Sequence, residues 1–494
     1  MTTLTEPATL AERDLAVLWH PCAQMHDYRV FPPLPVVAAE GAYLHLDDGR
    51  KLLDCFSSWW CKSLGHRHPA VAAAIADQLD RFEHVVLANT TNEPVVRLCE
   101  TVLHRANNPD HHLQDKPGQS EAPPRVSPPH FTKVFLADNG STAVEVALKM
   151  ALQAQHQLGR TQRTHFIALE NAYHGETTGC LSVTDLPLYA APYDPIRFPC
   201  TFLKGLPYRS GPSDPRWLDA SDEWPAIEAQ LAPLADTAAA VIVEPVMQGA
   251  GGMLLYSPDL LARLRQWCDA HDVYLIADEI AAGTYRLGTF LAWHLATSDA
   301  APSITKSPNH QTAKSLLPDF ACLSKGLTAG TLPLSAVLTT QPIYDVFEAE
   351  YHTYRAFMHS NTYTGNALAV AAANAALGVY TDEAIPARVD RLTTELAGRL
   401  QDVADRINAA RLRIACRKVR GLGGMTALNL VQADRSPLPA EDRTGYAVYR
   451  KAVERGALLR PLGDSLYLFP PLNTPDADLD RMAEIMHDAI HDVA

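Results

Sequence analysis

Basic residues are scarce in this chain of 494 residues: 42 lysines and arginines stand against 56 aspartates and glutamates, for a formal net charge of −14. Nucleic acids and acidic membrane surfaces bind proteins through clustered lysine and arginine side chains. No stretch of the sequence offsets the negative charge with a basic face, so we expect neither kind of partner.

Long apolar runs are also missing. The longest candidate, LAVAAANAALGVY at residues 368–380, is shorter than the roughly 18 residues of a membrane span and contains Asn374. The start of the chain lacks the basic and apolar segments of a secretory signal. The nine cysteines are scattered without CxxC pairs or clustered histidines, which argues against a disulfide framework and a zinc site. We therefore expect a cytoplasmic protein that binds small molecules and no metal.

Short apolar runs alternate with helical stretches between about residue 70 and residue 340. Six of these runs, rich in β-branched residues and bounded by polar residues, glycine or proline, are predicted as buried strands of the parallel type: TKVFLAD, HFIALEN, AAAVIVEPV, VYLIADEI, DFACLSK and SAVLTT. Helical patterns such as STAVEVALKMALQAQHQL lie between them. This alternation predicts an α/β domain with a mostly parallel central sheet.

The pattern changes at both ends of the chain. We predict a large domain at residues 69–345 and a smaller α+β domain built from residues 1–68 and 346–494. Two polar stretches rich in proline and serine, at about residues 107–130 and 298–316, are predicted as exposed loop insertions that take no part in catalysis.

One strand of the predicted sheet is followed by the sequence ADNGSTAVEVALKM, in which Gly140, Ser141 and Thr142 open a helix. Free backbone N–H groups, the helix dipole and two hydroxyl groups suit a phosphate at this point. The alternative is a plain helix cap, a common use of serine and threonine. The chain has neither GxxxxGK[ST] nor a GxGxxG after a strand, so a nucleotide-binding loop is not indicated.

Two further strands end in charged side chains. Asp278 closes the apolar run VYLIADEI, where it would face a protonated ring nitrogen, form an ion pair, with Arg286 as the nearest candidate, or bind a metal. Lys325 follows the strand FACL; it is either an exposed lysine or a partly desolvated nucleophile toward carbonyl groups. A phosphate site, an acid and a lysine at neighbouring strand ends match the three groups that hold pyridoxal phosphate.

The chain resembles the class III (ω-type) pyridoxal-phosphate aminotransferases, which have the α/β architecture called fold type I. The motifs EPVMQGAGGM, LIADEI, LSKGL and NTYTGNALA carry this resemblance, which extends from LWHP at residue 18 to YLFPPL at residue 472. SSWW at residues 57–60, AYHGETTGCLSVTD, FMHSNTYTGN and LLRPLGDSLYLFPPL are similar to one subgroup. That subgroup transaminates 8-amino-7-oxononanoate to 7,8-diaminononanoate in biotin synthesis, usually with S-adenosylmethionine as amino donor.

The resemblance implies roles for individual residues. Lys325 would hold the cofactor aldehyde and move the substrate proton, and Asp278 would keep the pyridine nitrogen protonated. Tyr173 would stack on the cofactor ring. The implied phosphate ligands are Gly140, Ser141 and, from a partner subunit of a homodimer, Thr362. The implied substrate-binding residues are Trp59, Arg286, Ser360 and Arg460, the last of these as the partner of a substrate carboxylate.

Other interpretations of these residues stay open at this stage. Tyr173 is also compatible with a tyrosine of the core, and Arg460 with an arginine of the surface or of an interface. The chain departs from the family where Cys22 follows His20 and Pro21 in place of tyrosine, and where Glu176 replaces an aspartate. The donor is therefore S-adenosylmethionine or lysine, and the alternative function is an ω-aminotransferase for ornithine, 4-aminobutyrate or a diamine.

Overall fold

The computed structural model describes residues 8–109, 129–297 and 316–494. The two predicted insertions lie largely outside these residues. The strands are β1 Val36–Glu40, β2 Tyr43–Leu46, β3 Lys51–Asp54, β4 Phe131–Ala137, β5 His165–Leu169, β6 Cys200–Leu203, β7 Tyr208–Arg209, β8 Ala238–Val243, β9 Met247–Gln248, β10 Leu254–Tyr256, β11 Tyr274–Asp278, β12 Phe320–Leu323, β13 Ser335–Thr340, β14 Ile414–Leu422, β15 Met425–Gln432, β16 Ala457–Leu458 and β17 Ser465–Leu468.

Helices separate most of these strands. They are α1 Leu10–Val17, α2 Ser57–Trp60, α3 Pro69–Leu79, α4 Glu93–Asn107, α5 Gly140–Gln157, α6 Thr178–Ser182, α7 Pro187–Ala190, α8 Trp224–Leu231, α9 Asp259–Ala270, α10 Gln341–Phe347, α11 Ala367–Asp382, α12 Ile385–Ala410, α13 Thr444–Glu454 and α14 Asp476–Val493. In the part of the chain that the structure describes, no helix is both long and apolar enough to span a membrane.

A seven-stranded sheet forms the centre of the molecule, in the order β4-β13-β12-β11-β8-β5-β6. Its strands run parallel except β13, which is antiparallel to both of its neighbours. Every residue of β8 and β13 is buried, as in sheets covered on both faces. The six predicted strands and the α/β fold are confirmed. The parallel orientation predicted for SAVLTT was wrong, because this segment is β13, which runs opposite to both of its neighbours. Strand β6 was not predicted.

The two ends of the chain meet in a second sheet. Strand β16, near the C-terminus, pairs in parallel with β3, near the N-terminus, and extends the sheet β1-β2-β3-β16. Strands β14, β15 and β17 form an antiparallel sheet against which α12 packs. Helix α11 packs instead on α3, α4 and the segment 325–328. The predicted domain boundaries remain a prediction.

The helix that follows the edge strand β4 begins with a well-formed cap. The side chain of Asn139 accepts a hydrogen bond from the Thr142 backbone N–H, and the Thr142 hydroxyl accepts one from the Asn139 backbone N–H. A cap of this kind stabilises a helix by about 1 kcal/mol. It sets the first turn of α5 at the carboxyl end of the central sheet, where the ends of β5, β8, β11 and β12 also lie.

Candidate active site

A cavity of about 460 Å³ opens at the carboxyl ends of the central strands. Six of the predicted site residues line this cavity, although they come from separate parts of the chain. They are Trp59, Gly140, Ser141, Tyr173, Asp278 and Lys325. The structure therefore brings together the predicted lysine, acid, aromatic residue and phosphate ligands in one space.

Lys325 lies two residues beyond the end of β12 and begins a short 3₁₀ turn, Lys325–Thr328. Its φ of +44° is left-handed, a conformation that is unfavourable for a residue with a side chain. The Nζ atom lies 4.7 Å from the ring centroid of Trp60, and no carboxylate among the described residues forms an ion pair with it. Burial lowers the pKa of Lys325, and the nearby Asp278 opposes this shift. The side chain is thus neutralised more easily than an exposed lysine, as a nucleophile or base requires.

Asp278 is the last residue of β11 and is buried. Its Oδ2 atom lies 2.8 Å from Nδ1 of His174, and its Oδ1 atom accepts a hydrogen bond of 3.2 Å from the Ile280 backbone N–H. These two contacts fix the carboxylate at the floor of the cavity. The alternative partner considered from the sequence, Arg286, is not used, because the acid pairs with the neighbouring histidine.

The first turn of α5 forms a narrow cradle. A Cβ atom on Gly140 would lie 3.0 Å from the Ile280 side chain, and one on Gly175 would lie 2.3 Å from the Ser141 hydroxyl oxygen. Gly175 also has a φ of +117°, which favours glycine. Backbone N–H groups and a serine hydroxyl are thereby accessible at a helix N-terminus, an arrangement that suits a phosphate group.

Tyr173 is held at both ends. Its backbone N–H donates to Oε2 of Glu244 over 3.0 Å, and its hydroxyl donates to Oε1 of Glu176 over 2.9 Å. Its ring lies edge-on to Tyr189, with 5.3 Å between the centroids. Burial, followed by the charge of Glu176, raises the pKa of the Tyr173 hydroxyl, so this group remains protonated and available as a donor.

Arg460, from the C-terminal part of the chain, contacts Trp59 of the cavity lining. Its guanidinium carbon lies 4.1 Å above the ring centroid of Trp59, and its Nη2 donates to the Cys22 carbonyl oxygen over 3.1 Å. Among the described residues no carboxylate pairs with it, and Trp59 is 36% exposed. The Cys22 thiol lies 3.7 Å from Oε1 of Glu176. Cys22 therefore contacts both the cation on the Trp59 face and the acid that accepts from Tyr173.

The two tryptophans of the site sit on a left-handed turn, α2. The φ angles of its four residues are +53° at Ser57, +44° at Ser58, +72° at Trp59 and +67° at Trp60. This backbone costs roughly 1–2 kcal/mol for each residue with a side chain, so other contacts must hold it. The turn aims Trp59 at Arg460 and Trp60 at Lys325.

Four predicted site residues are not among those that line the cavity: Arg460, which contacts Trp59 of the lining, and Arg286, Ser360 and Thr362. Arg286 is buried, and its Nη1 donates to the carbonyl oxygens of Gly424 and Pro470, 3.1 and 2.8 Å away. Burial lowers its pKa to about 9. Ser360 and Thr362 are exposed, and the Thr362 carbonyl oxygen lies 3.1 Å from His84 Nε2. Their predicted roles in binding substrate and phosphate stay predictions.

Several residues of the cavity were not singled out from the sequence. Glu244 follows β8 at the same edge of the sheet, and the strand-end argument that found Asp278 would have found it too. Burial raises its pKa to about 7. His174 stands beside Tyr173 in a quoted motif, but nothing local in the sequence reveals that it contacts Asp278. Cys61 also lines the cavity, next to Trp60, which belongs to the SSWW motif already identified from the sequence.

These residues fit pyridoxal phosphate, which needs a lysine for its aldehyde, an anion for its ring nitrogen and a pocket for its phosphate. Lys325, Asp278 and the glycine-lined start of α5 supply these groups within a single cavity. The Nε2 atom of His174 is buried without a hydrogen-bond partner among the described residues, so the Asp278–His174 pair keeps a polar atom unsatisfied beside the site.

Comparisons with known proteins agree with this chemistry. The family model of the class-III aminotransferases matches residues 24–490. A relative from Nitratidesulfovibrio vulgaris, named adenosylmethionine-8-amino-7-oxononanoate aminotransferase, is 35% identical over 98% of this chain and 82% of its own length.

Two solved structures share the fold over nearly their whole length. The adenosylmethionine-8-amino-7-oxononanoate aminotransferase of Methanocaldococcus jannaschii has a TM-score of 0.82 at 29% identity and covers 98% of both chains. An amine transaminase from an uncultivated Pseudomonas species, in its PLP-bound form, has a TM-score of 0.79 at 31% identity over 97% of this chain and 99% of its own. The chain therefore belongs to the class-III aminotransferases, enzymes of fold type I whose cofactor is pyridoxal phosphate.

Proposed function

We propose that this aminotransferase converts 8-amino-7-oxononanoate to 7,8-diaminononanoate in biotin synthesis and takes the amino group from S-adenosylmethionine. The observation that carries the proposal is the position of Arg460, a half-buried guanidinium without a carboxylate partner among the described residues, stacked on Trp59 above the cavity. A planar fork of this kind binds a carboxylate through two hydrogen bonds. Both relatives named for this substrate are similar to the chain over nearly all of its length.

Four residues of the cavity have distinct roles in the proposed reaction. Pyridoxal phosphate, when bound, supplies an aldehyde and an electron-withdrawing ring. The Lys325 amine, neutralised more easily because of its burial, would take a proton from the donor's reacting carbon and pass it on within the same half-reaction. In the second half it would move a proton in the reverse direction, onto the reacting carbon of the acceptor. Asp278, oriented by His174, presents an anion that keeps a protonated nitrogen opposite it. Tyr173 shields one side of the cavity from water, and Trp59 offers a flat wall to an aliphatic chain.

The aromatic wall of the cavity is compatible with more than one amino donor. The face of Trp59 can contact either a sulfonium group or an alkyl chain, so an aromatic wall suits both S-adenosylmethionine and lysine. The names of both relatives include adenosylmethionine, and on this ground we propose S-adenosylmethionine as the donor. The second candidate function is a general amine transaminase, which the 31% identical Pseudomonas enzyme favours by its name.

A half-reaction assay tests the proposal. The purified holoenzyme is mixed separately with S-adenosylmethionine, lysine and ornithine, and conversion of the cofactor to pyridoxamine phosphate is followed by absorbance. We expect conversion by S-adenosylmethionine and then release of 7,8-diaminononanoate after 8-amino-7-oxononanoate is added. Conversion by ornithine or other ω-amines alone would support the second candidate function instead. Conversion by lysine alone would leave the proposed acceptor unchanged and would replace S-adenosylmethionine by lysine as the donor.

We further propose that the enzyme is a cytoplasmic homodimer in which Thr362 of one subunit binds the cofactor phosphate of the other. The exposure of Thr362 and Ser360 in a single chain supports this arrangement. Mixing the inactive variant Lys325→Ala with Thr362→Ala at limiting cofactor tests it. If Thr362 acts across the interface, the hybrid dimer contains one intact site and activity returns. If each Thr362 serves its own chain, both sites of the hybrid are defective and no activity returns.

A further inference from the structure

The turn that carries Trp59 and Trp60 is held by one buried side chain outside the cavity. Asp54, the last residue of β3, is fully buried. Its Oδ1 atom accepts a hydrogen bond of 3.0 Å from the Ser58 backbone N–H, and its Oδ2 atom accepts one of 2.7 Å from the Ser58 hydroxyl. Oδ2 also lies 3.0 Å from Nε2 of His66. Both carboxylate oxygens are thus directed at the second residue of the left-handed turn and at the histidine behind it.

Other bonds anchor the two ends of the turn, and at its centre the Cys61 thiol donates to the Ser58 carbonyl oxygen over 3.0 Å. The Ser57 hydroxyl donates to the Phe469 carbonyl oxygen over 2.6 Å, and Trp60 Nε1 donates to the Tyr467 hydroxyl over 3.0 Å. The Trp59 side chain has no hydrogen bond among the described residues, and its ring is positioned by its own backbone and by the contact with Arg460. The left-handed conformation at Ser58 therefore decides where the Trp59 ring lies.

We propose that Asp54 is a positioning residue of the substrate site. By holding Ser58 in its left-handed conformation and accepting from His66, it fixes Trp59 beneath Arg460. Trp60, beside Lys325, is anchored separately by its hydrogen bond to the Tyr467 hydroxyl. Loss of these bonds lets the turn relax toward an ordinary backbone, which moves the aromatic wall away from the guanidinium. This inference rests on the proposed role of Trp59 and Arg460 in substrate binding, whereas the cofactor contacts of Gly140 and Ser141 are independent of it.

The test compares Asp54→Asn and Ser58→Ala with the wild-type holoenzyme. Ser58→Ala removes only the hydroxyl group that donates to Asp54, and it serves as the decisive variant if Asp54→Asn does not fold. The matched control is Asp259→Asn, because Asp259 is also a buried acid that accepts from a backbone N–H and lies away from the cavity. Arg460→Gln is the reference for loss of the carboxylate contact.

We expect Asp54→Asn to raise KM for 8-amino-7-oxononanoate about tenfold and Ser58→Ala about threefold, since tenfold corresponds to about 1.4 kcal/mol of lost binding. We expect kcat, cofactor saturation and the absorbance of the lysine-bound cofactor to change little in either variant. Asp259→Asn is expected to lower thermal stability without changing KM. This division between KM and kcat separates positioning from a general loss of structure.

A second measurement does not depend on the substrate. Acrylamide quenching of Trp59 fluorescence, taken as the difference between each protein and its Trp59→Phe counterpart, is expected to rise at least about twofold in Asp54→Asn. Unchanged quenching in both Asp54→Asn and Ser58→Ala overturns the inference. A wild-type KM in both variants also overturns the inference if Arg460→Gln has a raised KM. That result leaves the proposed function standing. A wild-type KM in Arg460→Gln together with increased quenching upholds the positioning of the turn and removes the proposed carboxylate contact.

Discussion

The substitution Arg460→Gln tests whether the guanidinium above Trp59 binds a carboxylate. Glutamine retains a polar side chain of moderate length but removes the charge and the two-pronged donor. A hydrogen bond to a charged group contributes roughly 1.5–3 kcal/mol, which corresponds to a change in affinity of about 10- to 150-fold. Because Arg460 is only half-buried, solvent screening reduces this contribution. We therefore expect KM for 8-amino-7-oxononanoate to rise about 10- to 30-fold.

The assay measures initial rates with 8-amino-7-oxononanoate and with its methyl ester, which keeps the chain and the reacting ketone but lacks the charge. The variant should lose affinity for the acid and should differ little from the wild type with the ester. Arg460→Lys, which keeps the charge without the fork, should fall between the two proteins. The chain offers a matched control in Arg443→Gln: Arg443 also stacks on a ring, that of Tyr446 at 4.3 Å, but pairs with Asp27 outside the cavity lining. Equal effects of Arg460→Gln on the acid and the ester would refute the reasoning.

Three further predictions concern two residues of the cavity and one buried residue that is next to the cavity residue Asp278 in the chain. Lys325→Ala should keep the fold and lose both activity and the borohydride-reducible attachment of the cofactor; a full-stoichiometry adduct seen by mass spectrometry would contradict this. His174→Gln should lower kcat about tenfold with little change in KM, because Asp278 loses the partner that orients it; the contrary result is a raised KM at unchanged kcat. Glu279, the buried residue after Asp278, accepts hydrogen bonds from the backbone N–H groups of Ala292 and Trp293. Burial raises its pKa from its ordinary 4.5 to about 8, so its contribution to stability is present below pH 4.5 and is lost as the pH rises through 8. We therefore expect Glu279→Gln to have a lower free energy of unfolding in urea than the wild type at pH 5.5, because one of its backbone hydrogen bonds is poorer. This difference in free energy should narrow at pH 8.5. A difference that is equal at both pH values would contradict the predicted dependence on the ionisation of Glu279.

Much of the central sheet and of the cofactor site was predictable from local patterns. Near-continuous apolar runs identify strands that are covered on both faces, and all six predicted runs are strands of the central sheet. Parallel strands place their carboxyl ends at one edge, so Asp278 and Lys325 could be expected to meet although they follow different strands. The same argument applies to Gly140 and Ser141 at the start of α5. These residues do line one cavity.

The pairings between distant side chains were not predictable in this way. The contact between His174 and Asp278 joins residues 104 positions apart, and no periodicity encodes it. Arg286 was a candidate for the pocket, yet its guanidinium turns to the carbonyl oxygens of Gly424 and Pro470. The direction of a long side chain depends on which unsatisfied acceptors tertiary packing places within its reach.

The sequence by itself determined the α/β architecture and placed Lys325, Asp278 and Gly140 at the ends of strands, because each follows from the hydrophobic periodicity of a strand and the residues at its end. Only the tertiary structure decided that the turn at Ser57–Trp60 is left-handed, that Asp54 and His66 hold it, and that Arg460 stacks on Trp59. A left-handed backbone at serine and tryptophan contradicts local preference. It exists because hydrogen bonds from β3 and contacts with the far end of the chain outweigh that preference, and such contacts form only when the whole chain has folded.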